Sequence, residues 1–377
     1  MKLGRIVLAY AGDLETSIGL RWLTENRRAE VVALTLDLGH GRELDAIRER
    51  ALALGAARAH LLDVRDEFAR SFVLPVLQAG ALSEGLYPPT TALAHPLIAK
   101  HLIEIARIEG AGTVAHGGAG RGNHSRLERA IAALDPSVKV IAPIRELSLS
   151  RDELIEYARE QGIPVVIGDS GWSAAATLWG RTVASSDPDD AWQEPSEDLY
   201  ALTRAAAEAP DMPAYVELEF VRGVPVAING VAMPLVELVD SLQTISGAHG
   251  IGRSDRVVDN GAGVVREIVE APAAVALHTA HRELQRFVTP RDVAHLTSEL
   301  AVKYANLVET GEWYAPAREA IDTLVARLQT KMTGRIRLKL FKGACEVVGR
   351  QVPSIQAEAA APCAGQRRRR GEPALKT

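Results

Sequence analysis

Near the N-terminus, AYAGDLETS (9–17) has the composition of a phosphate-binding turn that has been altered. It follows the apolar run IVLAY and leads into the helical pattern IGLRWL, so the chain passes from strand through a turn of small residues into helix. Such a turn aims backbone N–H groups and the positive end of the helix dipole at one point, which suits a pyrophosphate. Gly12 supplies permissive backbone, and Thr16 and Ser17 supply hydroxyls in the first helical turn. Asp13 does the opposite, because its carboxylate repels bound phosphates unless Mg²⁺ or Arg121 intervenes. On spacing alone, a nucleotide turn and a plain helix start, capped by Thr16 after a tight turn at Gly12, stand about even.

Two further segments carry polar groups in suggestive settings. In AHGGAGRGNHSRLE (115–128), glycines crowd the turn between a strand and a helix. That density costs chain entropy unless the backbone must come close to a ligand. Arg121, Asn123, His124 and Arg126 there offer donors for carboxylates or phosphates. His124 has the chemistry of a base, but a lone histidine at a helix start more often serves as a surface or hydrogen-bonding group. In EGLYPPTTALAHPLIAK (84–100), Tyr87 precedes a Pro-Pro turn, Thr90 or Thr91 caps the helix that follows, and His95 lies one turn inside it.

The elements that must position these groups alternate from residue 5 to about 165. IVLAY, EVVALTLDL, AHLLDV, TVAHG and VKVIAP read as strands, and TSIGLRWLTEN, ELDAIRERALALG, DEFARSFVLPVL, TALAHPLIAKHLIEIARIEG and RDELIEYAREQG as helices. Repeated βα units predict a parallel sheet covered on both faces, with ligands at the carboxyl ends of its strands. AYAGDLETS, LTLDLGH and VAHGGAGRGN all fall at such ends. From about 166 the texture changes: 183–213 is rich in Asp, Pro, Ser and Ala, with a short helix expected at SEDLYALTRAAAEA. Strand pairs such as YVELEFVRGVPVAING and the helices LVELVDSLQTISGAHG and PAAVALHTAHRELQRF then predict a second, α+β domain. The expected organisation is therefore α/β, with a parallel-sheet nucleotide-binding domain at 1–165, a second, α+β domain at 166–355 and a disordered, Arg-rich tail at 361–377.

Composition narrows the function classes. The 377 residues are 47% hydrophobic and 24% charged, ordinary for a folded protein with a sizeable core. A net charge of -5 gives no bulk attraction to nucleic acid or to an anionic membrane, so neither is an expected partner. Cys345 and Cys363 are too few for a disulfide framework or a Cys-based metal site. No signal-like or bilayer-spanning apolar run is apparent, and a cytoplasmic location is expected.

Taken together, the three polar segments resemble the argininosuccinate synthase family. The likeness continues through EIARIEGAGTVAHG, VKVIAPIREL, LIEYAREQGIPV, LWGR (178–181), EFVRGVPVAING, HGIGRSD (249–255), VEAP (269–272) and TGRIRLKLFKG (333–343), in order over about residues 3–350. The resemblance implies an N-type ATP pyrophosphatase fold, adenine nucleotide alpha hydrolase-like, followed by a synthetase and multimerisation domain. It also implies ATP with Mg²⁺, small amino-acid-like substrates and a homo-oligomer, dimer or tetramer. In the family's reaction the ureido oxygen of citrulline attacks the α-phosphorus of ATP, pyrophosphate leaves, and the amine of aspartate displaces AMP. Catalysis of that kind is chiefly positioning and charge stabilisation.

Carried over residue by residue, the resemblance implies a nucleotide site of altered character. The family's turn reads AYSGGLDTS; here Ala9, Gly12, Leu14, Thr16 and Ser17 match, while Ala11, Asp13 and Glu15 stand in place of Ser, Gly and Asp. Leu36 and Gly117 fall where the family holds adenosine and a second nucleotide turn. Among the amino-acid substrate positions, Tyr87, Asn123 and Ser173 match, and Thr91 and His95 sit on the capped helix start, His95 where the family has Arg. Ala119, Arg121 and His124 replace Thr, Lys and Asp, Thr182 replaces Ser, Arg126 or Leu127 aligns with the family's Arg, and Val258 or Asp259 with its Glu. In the family's YSIDEN only Ser173 stands, followed by Ala174, Ala175 and Ala176, the last two in place of Asp and Glu. Each lost contact to a ureido group costs about 1–3 kcal/mol. The expected function is an AMP- and pyrophosphate-forming C–N ligase that activates an oxygen of a non-citrulline substrate and couples it to an amine such as aspartate. The alternatives are a catalytically silent homologue serving as scaffold or ligand sensor, and a genuine argininosuccinate synthase of arginine biosynthesis.

Overall fold

A computed structural model describes residues 4–39, 41, 43–118, 122–164, 173–185, 192–259 and 264–352, with 122–124, 173 and 259 described by backbone alone. The expected tail at 361–377 lies outside the described residues. In the first half, strands β1 (Arg5–Ala9), β2 (Glu30–Asp37) and β3 (Arg58–Asp63) alternate with helices α1 (Leu14–Asn26) and α2 (Leu44–Ala53). Helix α3 (Arg65–Phe68) runs through a wide turn at Ala69–Val73 into α4 (Leu74–Ala79), and a tight turn at Thr91–Leu93 opens α5 (Ala94–Ile108). Strand β4 (Thr113–His116), helix α6 (Gly122–Leu134), strand β5 (Lys139–Ile141) and helices α7 (Pro143–Leu147) and α8 (Arg151–Glu160) complete this half.

The five strands form one parallel sheet in the order β3-β2-β1-β4-β5. Successive side chains of a strand point to opposite faces, so β1 sends Ile6 and Leu8 into one core and Val7 into the other. The first core packs against α1 and α8 through Ile18, Leu23 and Leu154. The second packs against α5 through Leu97 and Leu102 and continues without a break into the second half of the chain. The strands are thus covered by core on both faces.

In the second half, β6 (Ser173–Thr177), β7 (Gly180–Ser185), β11 (Arg253–Asp259) and β12 (Val264–Glu270) make an antiparallel sheet in the order β11-β12-β7-β6. The others, β8 (Ala214–Val221), β9 (Val224–Ile228), β10 (Val231–Ala232), β13 (Gly334–Phe341) and β14 (Ala344–Gln351), form a second sheet ordered β10-β9-β8-β13-β14. Helices α9 (Leu235–Ala248), α10 (Pro272–Val288), α11 (Arg291–Glu309) and α12 (Pro316–Gln329) supply the remaining layers. The hairpin expected at YVELEFVRGVPVAING is β8–β9.

The helix expected at SEDLYALTRAAAEA is not formed; a tight turn at Glu197–Leu199 and a further turn at Ala205–Ala209 appear instead. The reason is a competing acceptor. The buried Glu270 carboxylate takes the backbone N–H groups of Ala201, Leu202 and Thr203 at 2.8–2.9 Å and the Thr203 hydroxyl at 2.7 Å. Those N–H groups are then satisfied by a charged partner instead of a helical ladder, and bonds to a charged acceptor are the stronger kind. Arg181 balances the carboxylate at 3.0 Å.

Candidate functional site

The turn after β1 closes on itself. Asp13 is the N-cap of α1, with φ -82° and ψ -179°, and its carboxylate accepts the N–H of Thr16 at 2.8 Å and the Thr16 hydroxyl as well. That carboxylate therefore holds the place at the helix N-terminus where an anion would bind. The N–H of Ala11 donates to the Thr16 hydroxyl at 3.3 Å, and Arg50 donates to the carbonyl of Gly12 at 2.6 Å. Gly12 has φ 71°, the left-handed region, and lies under the Ile47 side chain. Burial, and after it the neighbouring Asp13 charge, push the Glu15 carboxyl above the ordinary range, with Arg151 at 3.4 Å pulling the other way.

A cavity of about 430 Å³ opens over this turn. Its floor is the carboxyl end of the parallel sheet: Ala9, Tyr10 and Ala11 after β1, Leu34 to Leu36 and Leu38 at β2, and His116 and Gly117 at β4. The start of α5 contributes Thr91, Ala94, His95 and Ile98. The facing wall is the antiparallel sheet, with Ala174, Ala175, Ala176 and Thr177 of β6, Thr182 and Ala184 of β7, and Glu267 of β12. The three strand-end loops named by the sequence thus converge, and the second half of the chain closes the crevice.

Of the nucleotide-site residues named from sequence, Ala9, Ala11, Asp13, Glu15, Thr16, Leu36 and Gly117 border this cavity. Leu14 and Ser17 turn away: Leu14 joins the core, and the Ser17 hydroxyl meets the Tyr10 hydroxyl at 3.2 Å. Of the substrate residues, Thr91, His95 and Thr182 border it. The Thr182 hydroxyl is engaged with that of Thr90 at 2.7 Å. Tyr87 stands outside, with the Arg256 guanidinium over its ring at 5.4 Å. Arg126 ties α6 to the end of α11 through the Glu309 carboxylate at 2.8 Å. Ala119 and Arg121 lie outside the described residues; Asn123 and His124 fall in α6, Ser173 in β6 and Asp259 in β11 by backbone alone.

Sequence reasoning missed Tyr10, Thr35, Ile47, His116 and Glu267 as cavity residues, and of the two positions aligned with the family's Arg it is Leu127 that borders the cavity. His116 and Thr35 had a findable signal, because both occupy carboxyl ends of strands. His116 is held in one tautomer: the Gly118 N–H donates to its Nδ1 at 3.1 Å, so its Nε2–H donates to Glu128 at 3.0 Å. That bond, with Arg145 at 2.6 Å, brings the Glu128 carboxyl down to about 2. A carboxyl depressed on folding adds stability above its unfolded range and loses it as pH falls toward the folded value. Glu128→Gln is therefore expected to lower the urea midpoint at pH 7 and to match the wild type near pH 2. An equal loss at both pH values would show that packing, not charge, is what Glu128 supplies.

Among the described residues no helix is long and apolar enough to cross a membrane. The family model described as "Arginosuccinate synthase N-terminal HUP domain" matches residues 5–164, and "Arginosuccinate synthase C-terminal domain" matches 172–360. The argininosuccinate synthase of Geobacillus kaustophilus is 45% identical over 352 residues, covering 93% of this chain and 86% of that protein. Those of Symbiobacterium thermophilum and Dictyoglomus thermophilum are 44% and 42% identical, covering 93% and 94% of this chain and 88% and 89% of their own. A solved structure titled as a "predicted subunit of tRNA methyltransferase" from Methanocaldococcus jannaschii aligns over 42% of this chain and 76% of its own, with a TM-score of 0.30 and 12% identity, too slight a likeness to argue from.

Proposed function

The chain belongs to the argininosuccinate synthase family, and we propose that it is an ATP-dependent, AMP- and pyrophosphate-forming C–N ligase of that type. The observation that carries the reading is the single cavity on which the β1–α1 turn, the end of β2, Gly117 and the β6–β7–β12 wall all open. In this reading the adenosine lies along Ala9 and Leu34 to Leu36, and the phosphates face the turn at Ala11 to Thr16. The acceptor lies between the start of α5 and the alanine wall of β6. The work of the site is to hold the acceptor oxygen in line with the α-phosphorus and to limit access of water, which a crevice with mainly apolar walls supports.

Mg²⁺ is proposed to accompany ATP. Two carboxylates, Asp13 and Glu15, border the cavity within the same turn, and the charge of Asp13 contributes to the raised pKa of Glu15. A hard cation bound through oxygen relieves such a like-charge pair. Asp13 is tied to Thr16 and Glu15 to Arg151 at 3.4 Å, so a cation held by either carboxylate would share it with that partner.

Citrulline and aspartate are the first substrate pair, because relatives 42–45% identical over more than nine-tenths of the chain are named for their product. The altered acceptor expected from the site residues is the second reading, and Ala174, Ala175 and Ala176 in the cavity wall favour it. The purified protein with Mg-ATP, citrulline and aspartate is expected to release AMP only when both amino acids are present. AMP release with other acceptors and none with citrulline would establish the second reading. Absence of ATP binding at millimolar concentration would remove both.

A further inference from the structure

Resting on the ligase reading, we propose that Glu267 sets the specificity of the acceptor pocket by receiving a cationic amino group of the acceptor on its carboxylate. Glu267 is buried in the central strand pair of the antiparallel sheet and borders the cavity. Its cross-strand neighbours are Ala184 on one side and Arg256 on the other. Arg256 donates through Nε at 2.9 Å and Nη2 at 2.7 Å, both to Oε2. The second oxygen, Oε1, has no hydrogen-bond partner among the described residues. A largely buried carboxylate with one oxygen held by Arg256 and the other open beside a cavity is an acceptor for a ligand donor.

Besides Glu267, the walls around the acceptor position offer the Thr91 hydroxyl and the His95 ring at the start of α5, and are otherwise apolar. Ala174, Ala175, Ala176 and Ala184 offer no polar side chains, and the Thr182 hydroxyl is taken up with Thr90. Among the described residues bordering the cavity there are three carboxylates, Asp13, Glu15 and Glu267, and no lysine or arginine. Such a lining attracts a cationic nitrogen and repels a carboxylate placed at the same point. Arg256 is then a countercharge on the oxygen turned away from the acceptor. It engages one oxygen of Glu267 and itself rests on the ring of Tyr87.

The test compares ligands that differ only in the amino group, titrated calorimetrically in the presence of an ATP analogue that resists α,β-cleavage. One pair is citrulline and 5-ureidopentanoate; the other, norvaline and pentanoate, has no ureido group. The wild type is expected to prefer the amino member of at least one pair by about 10- to 100-fold, the range for a hydrogen bond to a charged group. Glu267→Gln should reduce the preference to a few-fold, and Glu267→Asp should keep part of it. Arg256→Gln, which leaves the carboxylate uncompensated, should keep the preference or increase it. Melting temperatures of all variants verify folding. A wild type with no preference in either pair, a Glu267→Gln protein that retains it, or equal loss in Glu267→Gln and Arg256→Gln overturns the proposal, the last because it marks a structural ion pair. AMP formation from Mg-ATP is read in parallel, so failure of the ligase reading shows as absent AMP with the amino preference intact.

Discussion

Replacing Asp13 by glycine is expected to tighten ATP binding by about tenfold or more. The carboxylate sits at the N-terminus of α1, bonded to the N–H and the hydroxyl of Thr16, and so competes for the donors a phosphate would use. Two unit charges about 4 Å apart repel by roughly 4 kcal/mol at an effective dielectric of about 20, and only part of this needs to survive screening to give a tenfold change at about 1.4 kcal/mol. The fold tolerates the change, since glycine is an accepted N-cap and costs only about a few tenths of a kcal/mol there. Calorimetric titration with ATP should show a larger gain without Mg²⁺ than with it, because the cation screens the same repulsion. Adding Ala11→Ser brings a hydroxyl beside the Thr16 Oγ that the Ala11 N–H already meets, and should not reverse the gain. Weaker binding in Asp13→Gly would mean that Asp13 holds the cation, and the competition argument would fall.

The parallel sheet was legible because each of its strands is a short apolar run followed by a helical period, and the crevice followed from where such sheets bind ligands. Thr16 could be placed in it for the same reason, and Leu36 and Gly117 by the resemblance. Glu267 could not. Its position depends on the register of β12 against β7 and β11, and a shift of one residue would turn it to the other face. Local pattern does not contain that register. The missing helix at 197–209 is a similar case: its local composition favours helix, and the carboxylate that takes its N–H groups, Glu270, lies about seventy residues away in sequence. Tyr87 was named for a substrate role from the resemblance, and the side chain it meets in the structure, Arg256, belongs to a strand whose pairing the sequence does not announce.

Gly117→Val is the sharpest test of where the nucleotide lies, and it is expected to abolish ATP binding. A Cβ at Gly117 would stand 2.7 Å from Thr16 Cγ2 and 3.1 Å from the Thr16 N. The first is closer than carbon atoms approach, and the second crowds the backbone of the phosphate turn itself. The larger valine must therefore displace the start of α1 or fill the cavity above it, and either change removes the phosphate position. Overpacking of this kind also destabilises by about 1–3 kcal/mol, so lost binding alone would be ambiguous. Two comparisons separate the effects. Gly112, just before the same strand, has open space around its Cβ direction, and Gly112→Ala should bind ATP as the wild type does. Titration of Gly117→Val well below its own melting temperature should show a folded protein with no heat of ATP binding. Unchanged binding in that folded variant would place the nucleotide elsewhere, and the ligase reading built on this cavity would lose its support.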